Sequence, residues 1–432
     1  MTQSMSEARK TQYDLTVIGA GLAGMAAAAF AANRGLSAAI VGSLGETWFT
    51  SGLIDLMGVH PVDTGKTWRD PWSAVDAVRA DLPQHPYARL SNEEIKTALK
   101  EFYDLLNDAE LPYRCQEDQN SELITAFGSI KTTHGVPLTM WPGVTALSRK
   151  SPCLIVDIQG LKGFSARLIA ERLKPVWPGL HPLSLPPIYD DQAHEINPLP
   201  FANNMEIAEH RERFADFIRP HVKEVEFVGL PAVLGIHRAH RIVREFEERL
   251  GRPVFEIPAM PPSIPGIRLK ETFMRILSEK GVRCLFQKQV LTVRHAADDE
   301  FALDIGKTDL EAQIHSKAIM LATGRFSGGG LLADQAGIKE TLFDLPVSQP
   351  GQRQDWHAED FFASAGHPIN QAGIETDALA RPLAANRRPA FEKLFAAGTI
   401  LAHHDWIRMK CGSGLSVATA YHAVQSYLKS RS

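Results

Sequence analysis

Apolar residues along the chain change their period several times, and each change marks a predicted element. Residues 13–18 (YDLTVI) form a short β-rich run, the stretch Gly19-Ala20-Gly21-Leu22-Ala23-Gly24 follows, and residues 25–33 are Ala-rich and helix-forming. Arg34-Gly35 ends that helix, and residues 37–41 (SAAIV) predict a second buried strand, which completes a strand–turn–helix–strand unit. Ser91-Asn92-Glu93-Glu94 is a capping box, and Ile95, Ala98, Leu99, Phe102 and Leu106 behind it share one helical face. Residues 237–250 predict another amphipathic helix, with Ile242, Val243 and Phe246 inward, a solvated charged face, and Gly251 as its stop. Residues 175–201 carry Pro175, Pro178, Pro182, Pro186, Pro187, Pro198 and Pro200, and are read as a loop or a crossing between domains.

From Pro261 a different grammar begins. Residues 261–266 predict a rigid turn, residues 269–279 a helix closed by Lys280-Gly281, and residues 282–286 a strand. Strands at 290–295, 301–305 and 310–315, with turns at Asp298-Asp299 and Gly306-Lys307, predict an antiparallel meander. Residues 318–322 (AIMLA) are apolar without alternation, as in a parallel sheet covered on both faces, and they run into Thr323-Gly324 and the loop Gly328-Gly329-Gly330. Residues 394–398 predict a last buried strand, and residues 415–427 a closing helix with the small residues Ala418 and Ala420.

Composition narrows the function class. The 432 residues are 44% apolar and 22% charged, the balance of a soluble globular enzyme, which excludes a disordered, collagenous or disulfide-stapled chain. A net charge of −4 argues against nucleic acid as the main partner. Cys115, Cys153, Cys284 and Cys411 contain no C-x-x-C pair, so no metal site and no iron–sulfur ligand set is expected, and electrons would travel by an organic cofactor. The uncharged stretch 15–32 superficially matches a signal peptide or membrane span, but Gly19, Gly21 and Gly24 interrupt it; a soluble, cytoplasmic chain with a mobile tail over residues 1–12 is expected.

The glycines carry the clearest chemistry. Gly19 permits a tight turn, Gly21 leaves room for a pyrophosphate, and Gly24 lets the helix lie close to the sheet, while Leu22 and Ala23 stand in the same turn, ahead of a helix whose free N–H groups face the phosphates. One feature departs from the dinucleotide fingerprint: Val41 is followed by Gly42-Ser43 rather than an acid for the ribose, and the first acid is Glu46. FAD and FMN therefore both remain open. Ser43 and the run Thr50-Ser51-Gly52 are expected beside the flat ring, Thr323, Gly324 and Gly398 at the ends of later strands, and Gly412, Ser413, Gly414 and Leu415 at a helix start facing the pyrimidine edge of a flavin.

The stretches IGAGLAG (18–24), TSGLIDL (50–56), AFGSIKTTHGVPLTM (126–140), LIVDIQGLKGFS (154–165), LPAVLG (230–235), RPVFEIPAMPPSIPGIRL (252–269), LATGRFSGGGL (321–331) and CGSGLSVATAYHA (411–423) occur in an order that resembles the two-segment flavoproteins of the glutathione-reductase-like superfamily. More closely, they resemble the B subunits of anaerobic glycerol-3-phosphate dehydrogenase. The resemblance implies an α/β fold: a Rossmann-like FAD/NAD(P)-binding domain with a parallel sheet and a β-meander, plus an inserted α+β cap or substrate domain. Residues 1–60, 261–335 and 391–432 would form the flavin-binding domain, and residues 61–260 and 336–390 the cap. It also implies a flavin subunit, described for the family as FMN-dependent. A sister flavoprotein subunit oxidises sn-glycerol 3-phosphate to dihydroxyacetone phosphate, and an iron–sulfur subunit at the inner face of the membrane passes electrons to quinone. His403-His404 and Asp405-Trp406 depart from the smaller approach expected before the last glycine motif.

Oxidation of an alcohol at a flavin needs a base for the hydroxyl proton. His403 and His404 are the candidate bases, and Arg268, Arg325, Arg408 and Lys410 the candidate partners of an anionic substrate or reduced flavin. Cys411 reads as an inert buried thiol. Two other readings stay open, a stand-alone FAD oxidase or dehydrogenase of another alcohol, amine or hydroxy acid, and a scaffold with an empty Rossmann unit.

Overall fold

A computed structural model describes residues 12–187, 195–295 and 300–431. The expected tail over residues 1–11, the turn at Asp298-Asp299 and part of the proline-rich stretch lie outside the described residues. Gln12, counted with the tail, is strand: it pairs with His315.

The central sheet is parallel and five-stranded, in the order Arg283–Phe286, Ala38–Gly42, Leu15–Ile18, Ile319–Leu321, Leu394–Ala396. Side chains alternate between its faces. Leu15, Val17, Ile40, Met320 and Phe395 pack toward the helices Leu22–Asn33, Asn92–Asp108, Ile264–Glu279 and Gly412–Ser430. Ile18, Ala39, Val41, Ile319, Leu321 and Ala396 pack the other way, against the antiparallel sheet of Gln289–His295, Phe301–Gly306 and Leu310–Ser316. Because both faces are covered, these strands read as unbroken apolar runs. Their C-terminal ends deliver Gly19, Gly324 and Gly398 to one edge.

A second sheet lies inside the chain segment expected as the insertion. Its order is Val254–Ile257, Phe227–Pro231, Cys153–Ile158, Leu180–Leu185, and every pairing is parallel. The insertion is therefore α/β at its centre. Antiparallel pairing within it is marginal, as in the hairpin of Ser121–Ile124 with Ile130–Thr133. The proline-rich segment contributes a strand after all: Leu180–Leu185 accommodates Pro182 because it is the edge strand, where a missing N–H breaks no ladder. The helix expected to begin at residue 269 begins at Ile264, since Ser263 Oγ accepts from Gly266 N and Pro265 suits a first turn.

Packing also divides the insertion. Trp72, Val75, Tyr87, Ile95 and Phe102, from residues 71–108, join the core under the central sheet, whereas Ile155, Val228, Phe246 and Phe255 form a separate core around the inserted sheet. Ile338, Leu345, Trp356 and Ile374, from residues 336–390, pack with the antiparallel sheet.

Candidate functional site

The glycine turn after Leu15–Ile18 behaves as three separate constraints. Gly19 has φ +111°, and a Cβ there would overlap the Ala322 carbonyl oxygen, so the turn presses on the neighbouring strand end. A Cβ at Gly24 would overlap the Gly19 carbonyl, so helix and turn are in direct contact. At Gly21 a Cβ would meet nothing within 4 Å. Gly21 is also the N-cap of Leu22–Asn33, with no side chain capping the helix, so its first N–H groups, including those of Leu22 and Ala23, are presented to an open position.

Around this turn the later strand ends converge. A Cβ at Gly398 (φ +80°) would lie 2.6 Å from Ala23 Cβ, and Gly398 N donates to Thr419 Oγ1 at 2.9 Å, which joins the last strand to both flanking helices. Thr323 Oγ1 is shielded from solvent and has no hydrogen-bond partner among the described residues. That hydroxyl lies 2.4 Å from where a Gly330 Cβ would stand, so it faces the later glycine loop, and the open position at Gly21 is the one a phosphate could fill.

The loop after the second strand is used differently. Thr50 Oγ1 donates to Thr47 O at 3.0 Å and Ser51 Oγ accepts from Leu53 N at 3.4 Å, so both hydroxyls are turned onto local backbone. At Gly52, φ is +77° and a Cβ would meet the Pro265 side chain at 2.6 Å. Ser43, just past the strand, holds an interaction within the protein. The C-terminal glycines are likewise occupied by protein. A Cβ at Gly412 would meet Trp406, and one at Gly414 would lie 2.8 Å from Asp55 O and from Leu56 Cα. Ser413 Oγ accepts from Asp55 N at 2.6 Å and donates to Leu53 O at 3.2 Å, and Gly414 N donates to Asp55 O at 2.8 Å. The expected helix start at Leu415 thus begins at Gly412, and its glycines bring it onto residues 53–56.

The expected catalytic residues separate. Arg268 is 2% exposed; its Nη1 and Nη2 bind Glu256 at 2.5 and 2.8 Å and its Nε donates to Gly235 O at 2.9 Å. This corrects its expected catalytic role: every nitrogen of the guanidinium is committed, and the pair ties the helix Ile264–Glu279 to the inserted sheet. His404 is enclosed by protein at 0% exposure, so its ring is closed to a substrate as well. Burial, with Arg325 and His85 beside it, holds His404 well below the usual histidine range. Arg325 is spent on the carbonyls of Asn370, Leu401 and His404, and Arg408 on Asp405. His403 keeps partial exposure, with Nε2 2.6 Å from Glu375 Oε1. Cys411 is fully buried, and burial pushes its thiol up, as an inert thiol requires.

The family model for the FAD binding domain matches residues 14–415. The chain belongs to the FAD binding domain family. It is a flavin-dependent oxidoreductase, and its cofactor is a flavin. The B subunit of anaerobic glycerol-3-phosphate dehydrogenase from Aliivibrio fischeri (strain ATCC 700601 / ES114) is 26% identical over 451 residues, covering 96% of this chain and 95% of that protein. The B subunit of the same enzyme from Vibrio vulnificus (strain YJ016) is 27% identical over 430 residues, with 96% and 95% covered. Among solved structures, a flavocytochrome c3 fumarate reductase in an open conformation covers 98% of this chain and 79% of its own at 10% identity and a TM-score of 0.43.

Of the expected cofactor residues, Gly21, Leu22 and Ala23 border an open position that could receive a phosphate, whereas Gly19 and Gly24 are packed against backbone. Among the described residues no group of three or more His, Cys, Asp or Glu is placed to hold a metal, and no helix is long and apolar enough to cross a membrane.

Sequence reasoning passed over Asp55, Lys131 and His134. Lys131 Nζ lies 2.7 Å from Asp55 Oδ2, and Ile54 pairs with Gly135, which sets His134 beside the same loop. All three lie in the stretches 50–56 and 126–140, but nothing in their spacing shows that residues so far apart in sequence meet.

Proposed function

We propose that the chain is the flavoprotein B subunit of an anaerobic glycerol-3-phosphate dehydrogenase complex, taking part in oxidation of glycerol 3-phosphate to dihydroxyacetone phosphate. The observation that carries this reading is the end-to-end correspondence with relatives of that name, 96% of this chain against 95% of theirs. The uncapped helix at Gly21 supports it by offering the phosphate seat that a flavin requires. Bound there, a flavin supplies a two-electron acceptor for hydride from a carbinol carbon. The protein's part is to hold the phosphates at residues 19–24 and to close the ring end with residues 50–56 and the helix start at 412–415.

In this reading a sister flavoprotein subunit oxidises glycerol 3-phosphate, and electrons leave through an iron–sulfur subunit bound at the inner face of the membrane, on the way to quinone. The four cysteines of this chain are scattered without a C-x-x-C pair, and in this reading the cluster belongs to a partner subunit.

The test is direct. The purified chain is denatured, its released flavin is separated by chromatography as FAD or FMN, and the intact protein is mixed anaerobically with sn-glycerol 3-phosphate alone and with its partner subunits. A yellow protein whose flavin bleaches with glycerol 3-phosphate in the assembled complex supports the reading. Turnover of another alcohol, amine or hydroxy acid by the isolated chain would instead make it a stand-alone oxidoreductase, and a colourless protein would remove the flavin reading altogether.

A further inference from the structure

Residues 356–369 form a closed loop braced by its own hydrogen bonds. Ile369 N donates to Trp356 O at 3.0 Å across its neck, Ala363 N to Asp360 O at 3.1 Å and Gly366 N to Ala363 O at 3.0 Å within it. His367 spans the loop: its Nδ1 accepts from Ala358 N at 3.1 Å, and its Nε2 lies 3.1 Å from Phe361 O. A neutral ring protonated at Nε2 satisfies both contacts. The buried Trp356 roots the loop in the core that it shares with the antiparallel sheet.

This brace holds two aromatic rings out in solvent. Phe361 and Phe362 are 76% and 85% exposed, with ring centroids 5.0 Å apart and planes perpendicular. The loop is fastened in turn to the segment 405–408: Asn370 Nδ2 donates to Asp405 Oδ2 at 3.1 Å, and a Cβ at Gly366 would stand 2.9 Å from Arg408 Cδ. That segment adds Trp406 and Ile407, both exposed. Two fastened segments therefore show four large apolar side chains to solvent, where scattered single ones are the ordinary case. A loop whose hydrogen bonds keep phenylalanines out of the core is pre-organised to be covered.

The charges around these side chains indicate what covers them. Asp355, Glu359 and Asp360 are exposed and make no ion pair among the described residues, whereas Arg353 lies over the Trp356 ring and Arg408 is paired with Asp405. That acidic rim repels an anionic lipid surface, and a second copy docked on the same face would set carboxylate against carboxylate. A basic partner is attracted. Trp406 also packs against Gly412, where a Cβ would lie 3.0 Å from its ring, so the patch adjoins the helix start that closes the flavin's ring end in the reading above. We propose that Phe361, Phe362, Trp406 and Ile407 are the docking surface for the electron-accepting, iron–sulfur subunit of the complex, which offers an apolar pocket ringed by Lys or Arg. The inference rests on the flavoprotein-subunit reading and adds to it the place where the partner sits. Phe and Trp bury roughly 150–250 Å² each, so the three aromatic rings supply the centre of an interface of standard size, about 800 Å² on each side.

The experiment mixes the full, flavin-loaded chain with the iron–sulfur subunit and with the sister flavoprotein subunit, each purified separately, and measures affinity by calorimetry and sedimentation. Phe361→Ser combined with Phe362→Ser is expected to weaken binding of the iron–sulfur subunit by about tenfold or more. Melting temperature and flavin content are expected to stay at the parental values, since neither ring packs in the core. Glu359→Lys is expected to weaken the same binding and to flatten its dependence on salt, which a purely apolar contact would not show. Parental affinity in the F361S/F362S chain, with the wild-type chain assembling normally, overturns the surface and leaves the subunit reading standing. So does a loss confined to the sister subunit, or a wild-type chain that uses these phenylalanines to pair with itself or with vesicles of phosphatidylcholine and phosphatidylglycerol. A wild-type chain that binds neither subunit overturns the surface and the subunit reading together.

Discussion

Among the described residues three imidazoles are buried without a counter-charge, and burial is the largest influence on their state. Desolvation, helped by the charges of His60, His403 and Arg89, holds His85 down to about 3; desolvation holds His134 down to about 4; and His404 lies lower than its usual range for the same reason. All three are uncharged at neutral pH. The unfolded chain binds these protons near the ordinary histidine value while the folded chain refuses them, so their contribution is complete above about pH 6.5 and is lost as pH falls toward 4 and 3. The expected slope is about 1.4 kcal/mol per pH unit for each histidine within its window. Urea denaturation at a series of pH values checks it, and His134→Gln is expected to make the acid-side decline shallower. A pair such as His403-His404 is visible in sequence, but nothing local reveals that one ring meets Glu375 near the surface and the other is sealed inside.

Among the elements, the strand–turn–helix unit is the most legible from sequence, because its constraints act between residues a few positions apart. Gly19 and Gly24 meet each other, and the pattern of glycines records that contact directly. Two substitutions separate fold from binding. Gly24→Ala drives a methyl into the Gly19 carbonyl and is expected to lower the melting temperature and the flavin content together. Gly21→Ala meets no protein atom, so it is expected to melt like the parent when stripped of flavin yet to bind far less of it, measured as flavin per chain after purification. The less legible elements have equally physical reasons. Leu180–Leu185 hides behind Pro182, which only an edge position tolerates, and Ile264–Glu279 begins under a proline cluster that reads as a turn until the Ser263 cap is seen. The glycines at 412 and 414 signal a close approach, but the partner they approach is the chain at 53–56 and Trp406, which spacing cannot name.

At the scale of the molecule, Arg268 and Glu256 lock the helix Ile264–Glu279 to the inserted sheet through an ion pair with both side chains buried. Glu256 also accepts from Leu234 N at 2.9 Å, so the pair holds residues 231–236 as well. Removing one partner leaves a buried charge, and Arg268→Ala is expected to cost about 3–5 kcal/mol in chemical denaturation. Arg268→Met with Glu256→Leu is expected to recover part of that loss, not all of it, because the carbonyl of Gly235 and the amide of Leu234 still lose their partners. Kinetic constants of the folded fraction should stay near those of the parent, since neither residue reaches a substrate. By itself the sequence determined the class of the fold, the glycine turn between strand and helix and the flavin cofactor, because apolar period and glycine spacing are local records of strand, helix and close backbone approach. Only the tertiary structure decided which charges are spent on the fold and which stand free. Arg268, Arg325 and Lys410 look alike in sequence, and what distinguishes them is whether a carboxylate or carbonyl from a distant part of the chain has been brought within reach.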